Sequence, residues 1–148
     1  MASFAVEDPV DVLRAQSSVR TIASELGFSR YECQELAIVA SELASNILKY
    51  GTRGELLVQA VMGERGGGIE IVAIDYGPPF RDLAAAMQDG WDDDGPIDPL
   101  VLLTRKGIGG GLGAVVRFTD SFELQESARS KQIVTRRYLS QKPRDRGR

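Results

Sequence analysis

The fold class this sequence predicts is an α+β two-layer sandwich, with helices on one face of a mixed but mainly antiparallel sheet. Three observations lead there. Two helical apolar stripes, each with its own start and stop signals, fill the first third of the chain. Two strand-like runs joined by a glycine-rich turn follow them, and a second strand pair closes the sequence. Helices grouped ahead of adjoining strands, rather than alternating with them, favour antiparallel pairing with the helices layered on one side.

The first helix opens at Asp8-Pro9, an N-cap residue followed by proline at the first helical position. Val12, Val19, Ile22 and Leu26 carry it as one stripe to Gly27. Ser29-Arg30-Tyr31-Glu32 is a capping box, in which serine and glutamate each satisfy an orphan amide of the first turn. Leu36, Val39, Leu43 and Ile47 then recur at three and four residues until Gly51 stops the second helix after Tyr50. The runs 56–62 and 69–75, separated by Gly63 to Gly68, read as a hairpin. Pro78 and Pro79 open a short helix over 80–88. After Gly90 the composition changes to Trp91-Asp92-Asp93-Asp94-Gly95-Pro96, and an irregular segment runs on to Lys106. Leu112 to Phe118 forms another helix, and 121–126 with 132–139 makes the closing antiparallel pair. No segment repeats. At 148 residues the chain suits one domain over 1–141. The basic end 142–148 has no apolar residue to anchor it and reads as a disordered tail.

Composition removes several functions. There is no histidine, which excludes a Ser-His-Asp triad, histidine-based zinc sites and phosphohistidine chemistry. A net charge of −3 argues against nucleic-acid binding, which needs a basic surface. No apolar run is long enough to span a bilayer, so no membrane role is expected. The start of the chain lacks the basic and apolar regions of a signal peptide, and the lone Cys33 cannot form an internal disulfide, so the expected compartment is cytoplasmic.

Three stretches carry chemistry. Glu42 and Asn46 stand four residues apart on the second helix and project from one face beside the apolar stripe. A carboxylate and a carboxamide so placed suit a base or water-orienting group and one oxygen ligand for Mg²⁺, although the same spacing is found on ordinary solvated helix edges. Asp75 interrupts the apolar run 69–74 at a strand end. There its carboxylate can accept from the exocyclic amine of adenine, with Gly77 admitting close approach of backbone and ligand, or can simply begin the turn before Pro78. Gly107, Gly109, Gly110, Gly111 and Gly113 lead through Leu112 into a helix-forming stretch, which leaves backbone N–H groups for a triphosphate. The run is neither a Walker A nor a strict dinucleotide fingerprint, and a flexible linker is its other reading. Arg105 and Lys106 precede it and either meet the outer phosphates or stay solvated.

The order and separation of these stretches resemble the GHKL (Bergerat-fold) ATPase superfamily, and within it the small anti-sigma-factor-type serine/threonine switch kinases. Glu35 to Asn46 looks like the N box, Ile74-Asp75-Tyr76-Gly77-Pro78 like the first glycine box and Gly107 to Gly113 like the second. The resemblance implies ATP and Mg²⁺ as cofactors, Glu42 as catalytic base, Asn46 as the Mg²⁺ ligand and Asp75 as the adenine acceptor, with Thr135 beside the base. It implies a partner of the STAS-domain type, with a sigma factor or a phosphatase as further partners and a homodimer allowed. Pro79 replaces the second glycine of the first box, and the segment from Trp91 to Lys106 is longer and more acidic than the family pattern. The expected function is a serine/threonine-protein kinase in a partner-switching pathway. The alternative is a nucleotide-dependent binding switch with little chemistry, docking through Trp91, Leu100, Val101, Leu102 and Leu103. A hydrolysis-driven machine is disfavoured, since no second domain is evident to move.

Overall fold

The computed structural model describes residues 1–50, 53–64, 66–76, 91–92, 95–96, 112–127 and 129–140. The chain runs β1 (Ala2–Val6), α1 (Pro9–Leu26), α2 (Arg30–Tyr50), β2 (Gly54–Gly63), β3 (Gly66–Asp75), β4 (Trp91–Asp92), β5 (Gly95–Pro96), α3 (Leu112–Arg117), β6 (Ser121–Glu126) and β7 (Lys131–Tyr138). Five strands form one sheet in the order β1-β2-β3-β7-β6, and all four pairings are antiparallel. The helices cover one face of this open sheet, which is the expected α+β sandwich.

Local signals explain the helices. Pro9 opens α1 behind the N-cap Asp8, and the carboxylate of Asp11 accepts from the backbone amides of Glu7 and Asp8 at 3.0 and 3.1 Å. These two bonds hold the Asp11 pKa below its ordinary value. Gly27 ends the helix with φ 104°, a left-handed conformation that suits glycine. The second cap forms as the sequence implies: Glu32 accepts from the Ser29 amide at 2.9 Å while the Ser29 hydroxyl accepts from the Glu32 amide at 3.2 Å. Along α2, Leu36, Val39, Leu43 and Ile47 are all buried, as their spacing predicts. They meet Val19 and Ala23 of α1 and the inner face of the sheet. Truncating one such leucine to alanine costs about 2–5 kcal/mol.

The hairpin is longer than the sequence suggests. Its strands reach Gly63 and Gly66, and Gly66 takes φ 123° beside the tight connection. A Cβ at Gly68 would lie 2.7 Å from the Tyr138 ring, so glycine lets β7 approach. β1 is absent from the sequence expectations; it pairs with β2 at the sheet edge, turning Ala2, Phe4 and Val6 toward the core. Within the segment expected to be irregular, Trp91 pairs with Pro96 and Asp92 with Gly95 in a two-stranded ladder. The helix expected over 80–88, the apolar residues Leu100 to Leu103 and the tail 142–148 lie outside the described residues. No helix among those described is long and apolar enough to cross a membrane.

Candidate functional site

The site begins on α2. Glu42 and Asn46 are half-buried, one turn apart, and line a groove of about 390 Å³ together with Ser45, Leu48 and Lys49 of the same helix and Pro9, Val12 and Leu13 of α1. That volume falls in the range of small-molecule pockets. The groove lining combines apolar side chains with the carboxylate and the carboxamide. No salt bridge to Glu42 forms among the described residues.

β3 delivers Asp75 to the same end of the helix. The register puts Asp75 opposite Gly54. A Cβ on Gly54 would run into the Ile74 carbonyl oxygen and lie 2.8 Å from Ile47 Cγ2. The missing side chain therefore seats the residue after Asn46 against the strand end that bears Asp75. The backbone just beyond is fixed by the Tyr76 amide, which donates to the Arg53 carbonyl at 3.1 Å. The Tyr76 hydroxyl donates to Glu55 at 2.7 Å, and this bond to a carboxylate raises the phenol pKa.

Asp75 is 8% exposed, and its Oδ2 lies 3.2 Å from Nζ of Lys131, itself 3% exposed. Lys131 is the first residue of β7 and stands directly opposite Asp75 in the sheet. Sequence reasoning did not single it out. Thr135, expected beside the base, is placed opposite Ile71, and its hydroxyl donates to the Ile71 carbonyl at 2.8 Å. The four residues from Lys131 to Thr135 span about 13 Å along the strand. The structure thus brings Lys131 to Asp75, with Thr135 four positions further along β7.

α3 packs against α2. Leu112 sits in the core at 2% exposure, and a Cβ on Gly113 would meet no atom of the described residues within 4 Å, so the first turn of α3 is anchored through Leu112. Gly77, Arg105, Lys106, Gly107, Gly109 and Gly111 lie outside the described residues. Among those described, no group of three or more His, Cys, Asp or Glu side chains gathers to hold a metal. Among the described residues, Asn46 offers the groove a neutral side-chain oxygen. This suits Mg²⁺, which keeps several waters and shares its ligation with substrate phosphates.

A helix-backed open antiparallel sheet, with a polar helix edge beside a buried strand-end aspartate and no histidine in the chain, defines the class as a compact ATPase-type domain. The chain belongs to the histidine kinase-like ATPase domain family, whose model matches residues 6–137. It is 32% identical over 118 residues, 80% of each chain, to the serine/threonine-protein kinase RsbT of Bacillus subtilis (strain 168). Its fold is similar to that in the SiaB–SiaC complex from Pseudomonas aeruginosa. The TM-score there is 0.51 and the identity 14%, over 94% of this chain and 90% of that one.

Proposed function

We propose that this protein is an ATP-dependent serine/threonine-protein kinase that phosphorylates a STAS-domain regulator in a cytoplasmic partner-switching pathway. The observation that carries the reading is the pairing of Glu42 and Asn46, half-buried on one groove-facing edge of α2, with Asp75 held at the adjoining strand end. The likeness to RsbT, named a serine/threonine-protein kinase, supports the same class of reaction.

In this reading the adenine amine donates to Asp75, the glycine run Gly107 to Gly113 receives the phosphates, and Asn46 offers its side-chain oxygen to Mg²⁺. The bound cation neutralises charge on the phosphates. Glu42 takes the proton of the partner's hydroxyl as that oxygen bonds to the γ-phosphorus and the bond to the β,γ-bridging oxygen breaks, leaving phosphoserine or phosphothreonine and ADP. With no histidine in the chain, the phosphate has no imidazole on which to rest.

One observation favours an additional binding role. Val10 and Leu13 of α1 are 50% and 64% exposed, and Leu13 lines the Glu42 groove, so an apolar contact surface adjoins the proposed chemistry. A switch that acts by capture alone would keep its partner when Glu42 is replaced.

The test is transfer of labelled γ-phosphate from ATP to the cognate STAS-domain protein. Transfer by the parent protein, reduced about 10²- to 10⁴-fold in Glu42→Gln, is the expected result. Unlabelled partner in the presence of the parent protein overturns the kinase reading.

A further inference from the structure

Taking the ATP site above as given, we propose that Lys131 is a positioning residue for nucleobase recognition: it fixes the Asp75 carboxylate as an acceptor, so that the site takes a purine with an amine at C6 and refuses one with a carbonyl there.

The inference starts from where the pair stands. The inner face of the β3–β7 ladder reads Ile69 with Arg137, Ile71 with Thr135, Ala73 with Ile133, and finally Asp75 with Lys131. One pair from its end this row is apolar. Its last pair is a carboxylate and an ammonium whose side chains are 11% and 3% exposed. Stability is a poor reason for such a pair, because a well-packed apolar pair in the same place is generally as stable or more so. Ala73 and Ile133, the preceding pair, show that this row accepts one.

The chemistry of the two groups supplies a better reason. An ionised carboxylate only accepts hydrogen bonds and an ammonium only donates them. With Nζ on Oδ2, the carboxylate is held in one orientation at the end of β3, where Gly54 also brings α2 close. An amine at C6 of a purine meets it with a donor. A carbonyl at C6 meets it with a second acceptor. A buried group built for an N–H donor discriminates strongly against an analogue that lacks one. Without the ammonium, the carboxylate loses the contact at Oδ2 that sets this orientation, and discrimination against the wrong base weakens.

The experiment measures binding of ATP, ITP and inorganic tripolyphosphate, each with Mg²⁺, to the full chain and to Lys131→Met, Lys131→Gln and Lys131→Arg, with circular dichroism to confirm folding. The parent is expected to favour ATP over ITP by about 100-fold or more. The ratio should fall at least tenfold in both uncharged variants and recover in Lys131→Arg, while tripolyphosphate binding stays within twofold. Lys131→Gln keeps a polar side chain, so the test survives a misfolded methionine variant. An unchanged ATP-to-ITP ratio in the folded uncharged variant overturns the inference and leaves the ATP site standing. Equal losses for both nucleotides and tripolyphosphate reduce Lys131 to a structural strut and also overturn it. If the parent protein binds no nucleotide, the site itself is refuted and this inference with it.

Discussion

Two stretches of one helix use the same side chain differently. At the start of α2, Glu32 and Glu35 both reach the guanidinium of Arg137, at 3.4 and 3.2 Å, and Arg137 is 4% exposed. The same guanidinium donates to the Phe118 carbonyl at 3.2 Å, just past α3, so one cation ties α2, β7 and the end of α3 together. Two to three turns further along, Glu42 sits on a groove wall, and no salt bridge to it forms among the described residues. The helix therefore carries ion-paired carboxylates in its first turns and, further along, one with no ion pair among the described residues. Residue type and helix position do not separate them; the cation across the gap does.

That contrast can be broken in order of expected effect. Replacing Glu42 with glutamine removes the proposed base and should lower phosphotransfer by about two to four orders of magnitude. Urea denaturation of the same variant should show stability within about 0.5 kcal/mol of the parent, since the half-buried carboxylate has no ion pair among the described residues. Arg137→Met reverses the pattern. It removes the Arg137 guanidinium from Glu32 and Glu35 in a mostly buried place, and the expected loss of stability is about 3–5 kcal/mol by the same denaturation measurement. A loss under 1 kcal/mol would show that the cluster is solvated and that the two stretches of the helix differ less than the distances imply.

Gly54→Ala probes the seam between the helix and the strand end. The new methyl group meets the Ile74 carbonyl and Ile47, and overpacking of this kind costs about 1–3 kcal/mol. Because the strain falls beside Asp75, nucleotide affinity should drop along with the thermal midpoint. The smallest effect is at Asp11. Its carboxyl is held below its ordinary pKa by the Glu7 and Asp8 amides, so its contribution to stability is present above the unfolded-state pKa and fades as pH falls through the lower folded-state value. Asp11→Asn should leave a slightly less stable protein at pH 7 whose melting temperature depends less on acidification than the parent's.

Much of this was readable in the amino acids. The capping box at Ser29 and Glu32 and the stripe Leu36, Val39, Leu43, Ile47 are local signals, and local hydrogen bonds and one buried face are what form there. Non-local pairing was harder. β1 is five residues long and gains its partners from β2, so its alternation of Ala2, Phe4 and Val6 had too little length to declare itself. Lys131 illustrates the limit most clearly. Lys131 and Thr135 share one face of β7 because they differ by an even number of residues, and a period of two cannot say which of them meets Asp75. Register decides that. That register pairs strands more than fifty residues apart, and no local turn signal announces it.

The most direct test of the account is calorimetric titration of ATP with Mg²⁺ into the parent protein and into Glu42→Gln. The account predicts saturable, one-to-one binding with affinities within about threefold of each other, because Glu42 acts on the acceptor hydroxyl rather than on the nucleotide. Heat of dilution alone from the parent protein would contradict it.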